Sequence, residues 1–299
     1  MNIKWTISDD GEWSFAEPLP LTFNPIYSRD LPRYLTAFNR LFEAAKAKSE
    51  FDFILALVHK ERDLYSDPFE TTKRIFPKII ALHASLPNYD LEVTIGLWLY
   101  GHIVESYYPY QVVADLIHIA SGHPHRTLVF ERDGDGAELS PGRKIQQLRQ
   151  LTSDPIHRAA LRPFRESWNA NLRNAVFHSN YTIVGDKVRL PGMRTEMPVI
   201  TVMSRVNRSV AAFEALLHVE DYHRRRYTRP VEIEAPVYFA HEAGTSVTVL
   251  VRDNYGPVGI YSTVRDIDVE SPVILGRMTR SEYELVQKGI FHFPAARSD

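Results

Sequence analysis

The chain has 299 residues, a formal charge of −2 and no cysteine, with 44% hydrophobic and 24% charged residues. That composition describes a self-folding globular protein, and the length permits one main domain with a smaller one appended. Lack of cysteine excludes disulfides, thiolate nucleophiles and cysteine-type zinc sites, and it fits a cytoplasmic location. Residues 1–5 lack a signal-peptide pattern and no apolar run reaches membrane-spanning length, so no membrane role is expected.

Residues 1–16 alternate apolar and polar around Asp9-Asp10-Gly11, which predicts a β-hairpin with Trp5 and Ile7 on one arm and Trp13 and Phe15 on the other. A proline-spaced link runs from Pro18 to Pro25. Asp30 followed by Pro32 has the order of an N-cap and a first-turn proline, and Leu31, Leu35, Phe38, Leu41 and Phe42 form a helical apolar stripe. Residues 51–60 predict a second helix. Asp67-Pro68 caps a third, with Ile75, Ile79, Leu82 and Leu86 on its buried face and an end near Pro87.

A helix from Asp90 carries Val93, Leu97, Tyr100 and Val104, breaks around Tyr108-Pro109 and resumes over residues 112–119. After a loop over residues 122–142 and a short helix over 145–151, Asp154-Pro155 starts one long helix that contains residues 171–178. A hairpin turning at Gly185-Asp186 and a helix over residues 197–227 follow. Beyond Pro230, short β-branched runs separated by Gly, Asn and Pro predict a small β-rich unit, closed by a helix over residues 281–288. The expected fold is α+β and mainly α: an N-terminal β-hairpin and link (1–28), a multi-helix bundle (29–229) and a small C-terminal β-rich unit (230–299).

Within residues 141–230, 16 basic residues stand against 7 acidic ones, a local surplus of nine in an otherwise acidic chain. Such a segment either presents one face to a polyanion or spreads its arginines over solvated helix surface. Residues 171–178 carry the densest candidate chemistry. On a regular helix Asn171, Asn174 and His178 share a face, while Arg173 lies roughly 140° around from His178 and has to reach toward it. The negative end of the helix dipole favours a protonated imidazole at His178, and the neighbouring arginine opposes that. An imidazole that passes protons beside a guanidinium that holds a phosphate suits phosphodiester cleavage without a metal.

Arg173-Asn174-Ala175-Val176-Phe177-His178 resembles the R-x4-6-H signature of the HEPN superfamily, including the polar residue after its arginine. The resemblance covers the signature and its helical setting, residues 30–227 in outline. It leaves out the N-terminal hairpin and the β-rich tail. It implies a helical bundle that dimerises and, in active members, a metal-independent endoribonuclease that needs no cofactor and leaves a 2′,3′-cyclic phosphate and a 5′-hydroxyl. Arg173 is then the phosphate clamp, His178 the acid or base and Asn174 a positioning amide. Many relatives are noncatalytic modules, so the same resemblance also admits a binding scaffold.

Trp98, His102 and Glu105 fall at i, i+4 and i+7, so Glu105 is a candidate to orient Arg173 or His178, with His102 in support. The alternative is a local His102–Glu105 contact. His118, His123 and His125 match no metal-binding pattern, His218 and His223 miss zinc-protease spacing, and no nucleotide-binding glycine loop or Gly-x-Ser-x-Gly elbow is present, so neither a metal nor a cofactor is expected. Arg224, Arg225 and Arg226 either contact RNA phosphates or complement the end of their helix. The expected function is a HEPN-like RNA-cleaving toxin or defence effector that acts as a homodimer on RNA under a regulatory or antitoxin protein. The alternative is a noncatalytic HEPN-like RNA- or protein-binding scaffold.

Overall fold

A computed structural model of the chain describes residues 5–8, 11–16, 24–58, 68–86, 89–126, 130, 139–152, 154–190, 196–262, 273–276 and 280–295. In chain order these form strands β1 (Trp5–Ile7) and β2 (Trp13–Phe15), then helices α1 (Pro25–Lys48), α2 (Glu50–Val58), α3 (Pro68–Ala84), α4 (Tyr89–Glu105), α5 (Tyr107–Ala120), α6 (Pro141–Leu151), α7 (Pro155–Ser167) and α8 (Ala170–Phe177). There follow β3 (Thr182–Val184), β4 (Lys187–Arg189), β5 (Met197–Pro198), α9 (Val199–Arg225), β6 (Val231–Glu234), α10 (Val237–Ala240), β7 (Ser246–Arg252), β8 (Gly256–Ser262), β9 (Val273–Gly276), α11 (Arg280–Val286) and β10 (His292–Phe293). The fold is α+β and mainly helical. The expected turn residues Asp9 and Asp10, the link from Pro18, the Asp67 cap and the helix end at Pro87 lie outside the described residues.

Two compact units are interleaved along the sequence. The first takes Met1–Arg40, Ser66–Ala114 and Leu128–Leu217, and the second takes Leu41–Tyr65, Asp115–Thr127 and His218–Asp299.

In the first unit the hairpin pairs Trp5 with Phe15 and Ile7 with Trp13, so the large side chains face one another across the two strands. The core of this unit collects Val93, Leu97, Tyr100 and Val104 from α4, Leu172, Ala175 and Val176 from α8, and Val199, Val202 and Val206 from α9. Val188 of β4 joins them, carried by a hairpin whose turn requires positive φ at Gly185 (59°). On the other side Phe164 of α7 meets Phe38 of α1 at 6.2 Å and Tyr110 of α5 at 4.9 Å between ring centroids.

Three local expectations are corrected. Helix α1 starts at Pro25, where the Asn24 side chain accepts the Ile26 amide (2.9 Å); Asp30 is therefore not a cap but a fully buried residue inside the helix. Its carboxylate is held by Arg29 and Arg33, each at 2.8 Å, and by Arg208 of α9 at 3.2 Å. The break expected around Tyr108-Pro109 falls earlier, at Ser106, because a proline is tolerated in the first turn of α5, where its missing N–H has no helical partner. The long helix expected from Asp154 is two helices, α7 and α8, separated at Trp168-Asn169.

The second unit is built on the five-stranded sheet β6 to β10, in which β7 pairs antiparallel with β6 and β8 and parallel with β10, and β9 extends β8. Helix α2 packs on this sheet, and all eight of its residues from Phe51 to Val58 are buried, seven of them apolar and the eighth, Asp52, accepting the His125 amide at 2.7 Å. His223 of α9 sits among aromatic rings, 5.1 Å from Phe42 and 5.6 Å from Phe53. Burial, assisted by Arg226 and Lys46, pushes its pKa down to about 3, so it is a neutral core residue.

Two measurements test this packing. Gly256 has φ 91°, and a Cβ there would stand 2.2 Å from the Arg224 carbonyl oxygen, so Gly256→Ala is expected to lower stability by more than about 2 kcal/mol in chemical denaturation. Burial raises the pKa of Asp30, but its hydrogen bonds and charge contacts with Arg29, Arg33 and Arg208 outweigh this and hold it below the usual carboxylate value. A depressed folded pKa contributes stability above the unfolded value of about 3.9 and loses it as pH falls through the folded one. Asp30→Asn should therefore cost about 3 kcal/mol at neutral pH, with the gap to the parent narrowing below about pH 4.

Candidate functional site

The Arg173–His178 segment is positioned by a helix break. At the end of α7 the hydroxyl of Tyr100, a buried residue of α4, donates to the Ser167 carbonyl (3.2 Å) and accepts the Asn169 amide (2.9 Å). Arg205 of α9 donates to the Trp168 carbonyl at 3.0 Å. Asn169 then caps α8, its side chain accepting the Leu172 amide at 2.8 Å. The backbone groups freed by the break are thereby satisfied, and α8 begins in a direction of its own. It lies close against α4 because residue 101 is glycine: a Cβ there would meet Val176 at 2.9 Å and Phe177 at 3.2 Å.

His178 is the C-cap of α8. Beyond it Ser179 adopts φ 49°, its amide bonding the Val176 carbonyl (3.1 Å) while the Asn180 amide bonds that of Ala175 (2.9 Å). This is a Schellman ending with serine where glycine is usual, and it turns the chain into the β3–β4 hairpin.

The Arg173 guanidinium points toward α4. Its Nε donates to Glu105, a terminal amino group donates to the Asn174 side-chain oxygen at 2.9 Å, and its plane lies over the Phe177 ring at 5.1 Å. Glu105 thus orients Arg173, one of the two roles considered for it. His102 meets Phe177 instead of Glu105, with ring centroids 6.3 Å apart and the planes nearly perpendicular. Asn174 and His178 are exposed, Trp98 and Phe177 are 52% and 43% exposed, and Arg173 is partly buried. No side-chain hydrogen bond or ion pair engages His178 among the described residues. The chain thus brings Arg173, Asn174 and Glu105 into one bonded cluster, with His102 attached through Phe177 and His178 one residue beyond it.

Phe177 is the member that sequence reasoning passed over. Its place four residues after Arg173 is the spacing that lets a guanidinium lie over a ring on a helix.

Arg224 is corrected as an RNA contact. It is buried, paired with Glu220 at 2.9 Å, donating to the Leu57 carbonyl and lying over Tyr255 at 4.8 Å. It holds the second unit together and cannot reach a phosphate. Arg225 and Arg226 are exposed but paired with Asp221 and Glu43. His118 stacks on His123 at 4.5 Å and His125 bonds Asp115 at 2.7 Å; among the described residues no three His, Asp or Glu side chains are grouped to hold a metal. Among the same residues, no helix is long and apolar enough to cross a membrane. No protein-family model, curated protein or solved structure matches the chain.

The contributions to this site differ in size. Tyr100→Phe removes a buried hydroxyl serving two backbone groups and should cost about 1–3 kcal/mol, whereas Glu105→Gln, which breaks a partly solvated ion pair, should cost less than about 1 kcal/mol. Urea titration of the two variants against the parent measures the order, and a reversed order contradicts the account of the break.

Proposed function

We propose that the chain is a HEPN-like, metal-independent endoribonuclease of the toxin or defence type, with Arg173, Asn174 and His178 acting on the scissile phosphodiester. The observation that carries this reading is the arrangement at the end of α8: a guanidinium oriented by Glu105 and Asn174, and an exposed imidazole one residue past the helix. In the proposed reaction the 2′-oxygen attacks phosphorus, its proton leaves, and the bond to the 5′-oxygen breaks as that oxygen takes a proton. The products are a 2′,3′-cyclic phosphate and a 5′-hydroxyl. His178 moves one of these protons and Arg173 offsets the charge that grows on the phosphoryl oxygens. A homodimer, an RNA substrate, a regulatory or antitoxin protein and a cytoplasmic setting belong to the same proposal.

A second reading is favoured by the Arg173–Glu105 pair itself, because a carboxylate that already neutralises the guanidinium weakens its hold on phosphate. On that reading the fold is a noncatalytic RNA- or protein-binding scaffold. The parent and His178→Ala are compared on a labelled RNA in EDTA. Loss of at least about 100-fold in cleavage, with unchanged melting and a cyclic-phosphate product, is expected of the nuclease. Equal turnover by both proteins, or none by either, removes it.

A further inference from the structure

The geometry points to a second site, unrelated to Arg173 and His178: a groove in the first unit that binds a small molecule bearing a phosphate monoester. The groove lies along β2, α1 and α7, has a volume of about 310 Å³, and is lined by Arg33, Arg40 and Arg162 with Glu12, Trp13 and Tyr34. Its size falls at the lower end of small-ligand pockets, and it offers three guanidiniums against one carboxylate.

Two carboxylates outside the lining, with Glu12 within it, hold these arginines in place. Buried Asp30 fixes Arg33 at 2.8 Å, and Glu166 takes Arg33 at 3.1 Å, Arg162 at 3.2 Å and the Tyr34 hydroxyl at 2.7 Å. Arg40 reaches Glu12 at 3.2 Å through a single terminal nitrogen. Arg29 and Arg208, which do not line the groove, also share Asp30, so the surrounding cluster of five guanidiniums and three carboxylates carries a surplus of two positive charges. A phosphate monoester dianion matches that surplus.

Arg162 pairs with Glu166 at 3.2 Å through Nε, and no hydrogen bond engages its two terminal amino groups among the described residues. Its side chain is 63% exposed and that of Arg40 is 47% exposed, so both forks reach solvent with donors to spare. Paired guanidinium forks suit tetrahedral phosphate because each gives two parallel N–H bonds. Trp13 and Tyr34 are buried lining residues that close the groove on its inner side, the Arg33 guanidinium lying over the Tyr34 ring at 5.7 Å. Both are held in place, Trp13 through its amide on the Thr36 hydroxyl (2.9 Å) and Tyr34 through Glu166.

The test is calorimetric titration of the full chain with adenosine monophosphate, inorganic phosphate and adenosine at low salt. The expected result is saturable binding of the monophosphate, competition by inorganic phosphate, and no binding of adenosine. Arg162→Ala, and Arg40→Ala with Arg162→Ala, should weaken binding at least about tenfold with melting temperature unchanged for the single variant. Exposed Arg149 of α6 lies outside the groove, and Arg149→Ala should bind like the parent. Absence of saturable binding at millimolar monophosphate, binding indifferent to Arg162→Ala, or an equal loss in Arg149→Ala overturns the site. Because the readout is binding, its failure is separate from any failure of RNA cleavage.

Discussion

The phenol of Tyr100 decides how the Arg173–His178 segment is presented. A helix running unbroken from Pro155 would have carried Arg173 and His178 in the direction of α7. Breaking it exposes backbone groups that a buried setting tolerates only when they are bonded, and Tyr100, Arg205 and Asn169 supply those bonds to Ser167, Trp168, Asn169 and Leu172. Once α8 is set by that break and by the missing side chain at Gly101, Arg173 meets Glu105 and Phe177 meets His102. The candidate site is therefore a consequence of α4 as much as of the helix that bears its motif.

Much of the secondary structure was legible because periodicity and turn chemistry agree with it. The hairpin around Gly185, the α4 face, the long α9 and the strands after Pro230 all fall where alternating or helical spacing puts them. Where reading stopped short, the deciding group was distant in sequence. Asp30 looks like a cap beside Pro32, but its partner Arg208 lies 178 residues away and turns it into a buried anchor. Ser167-Trp168-Asn169 contains no proline or glycine to announce an end, and the bond that makes the end stable comes from Tyr100, 69 residues earlier. The row Trp98, His102, Glu105 was readable as one face; which residue each would meet was not, since Arg173 is 68 residues from Glu105.

The basic surplus between residues 141 and 230 resolves in the same way. Arg173, Arg208 and Arg226 find their carboxylates at Glu105, Asp30 and Glu43, all outside that segment, while Arg162, Arg189 and Arg225 find theirs within it. A charge run in sequence thus becomes a set of local pairs and one buried strut, Arg224. Positive charge remains in excess where several arginines share one acid, as around Asp30 and Glu166.

The largely apolar helix α2, buried from Phe51 to Val58, has a consequence for synthesis. It leaves the ribosome long before the strands that cover it, since β6, β8 and β9 all lie between residues 231 and 276. Until then the nascent chain carries an uncovered greasy segment, which is the kind of surface that holdase chaperones grip. For the same reason a fragment cut at Pro230 would deprive both pieces: the C-terminal sheet loses its lid and the N-terminal portion keeps a helix that water rejects.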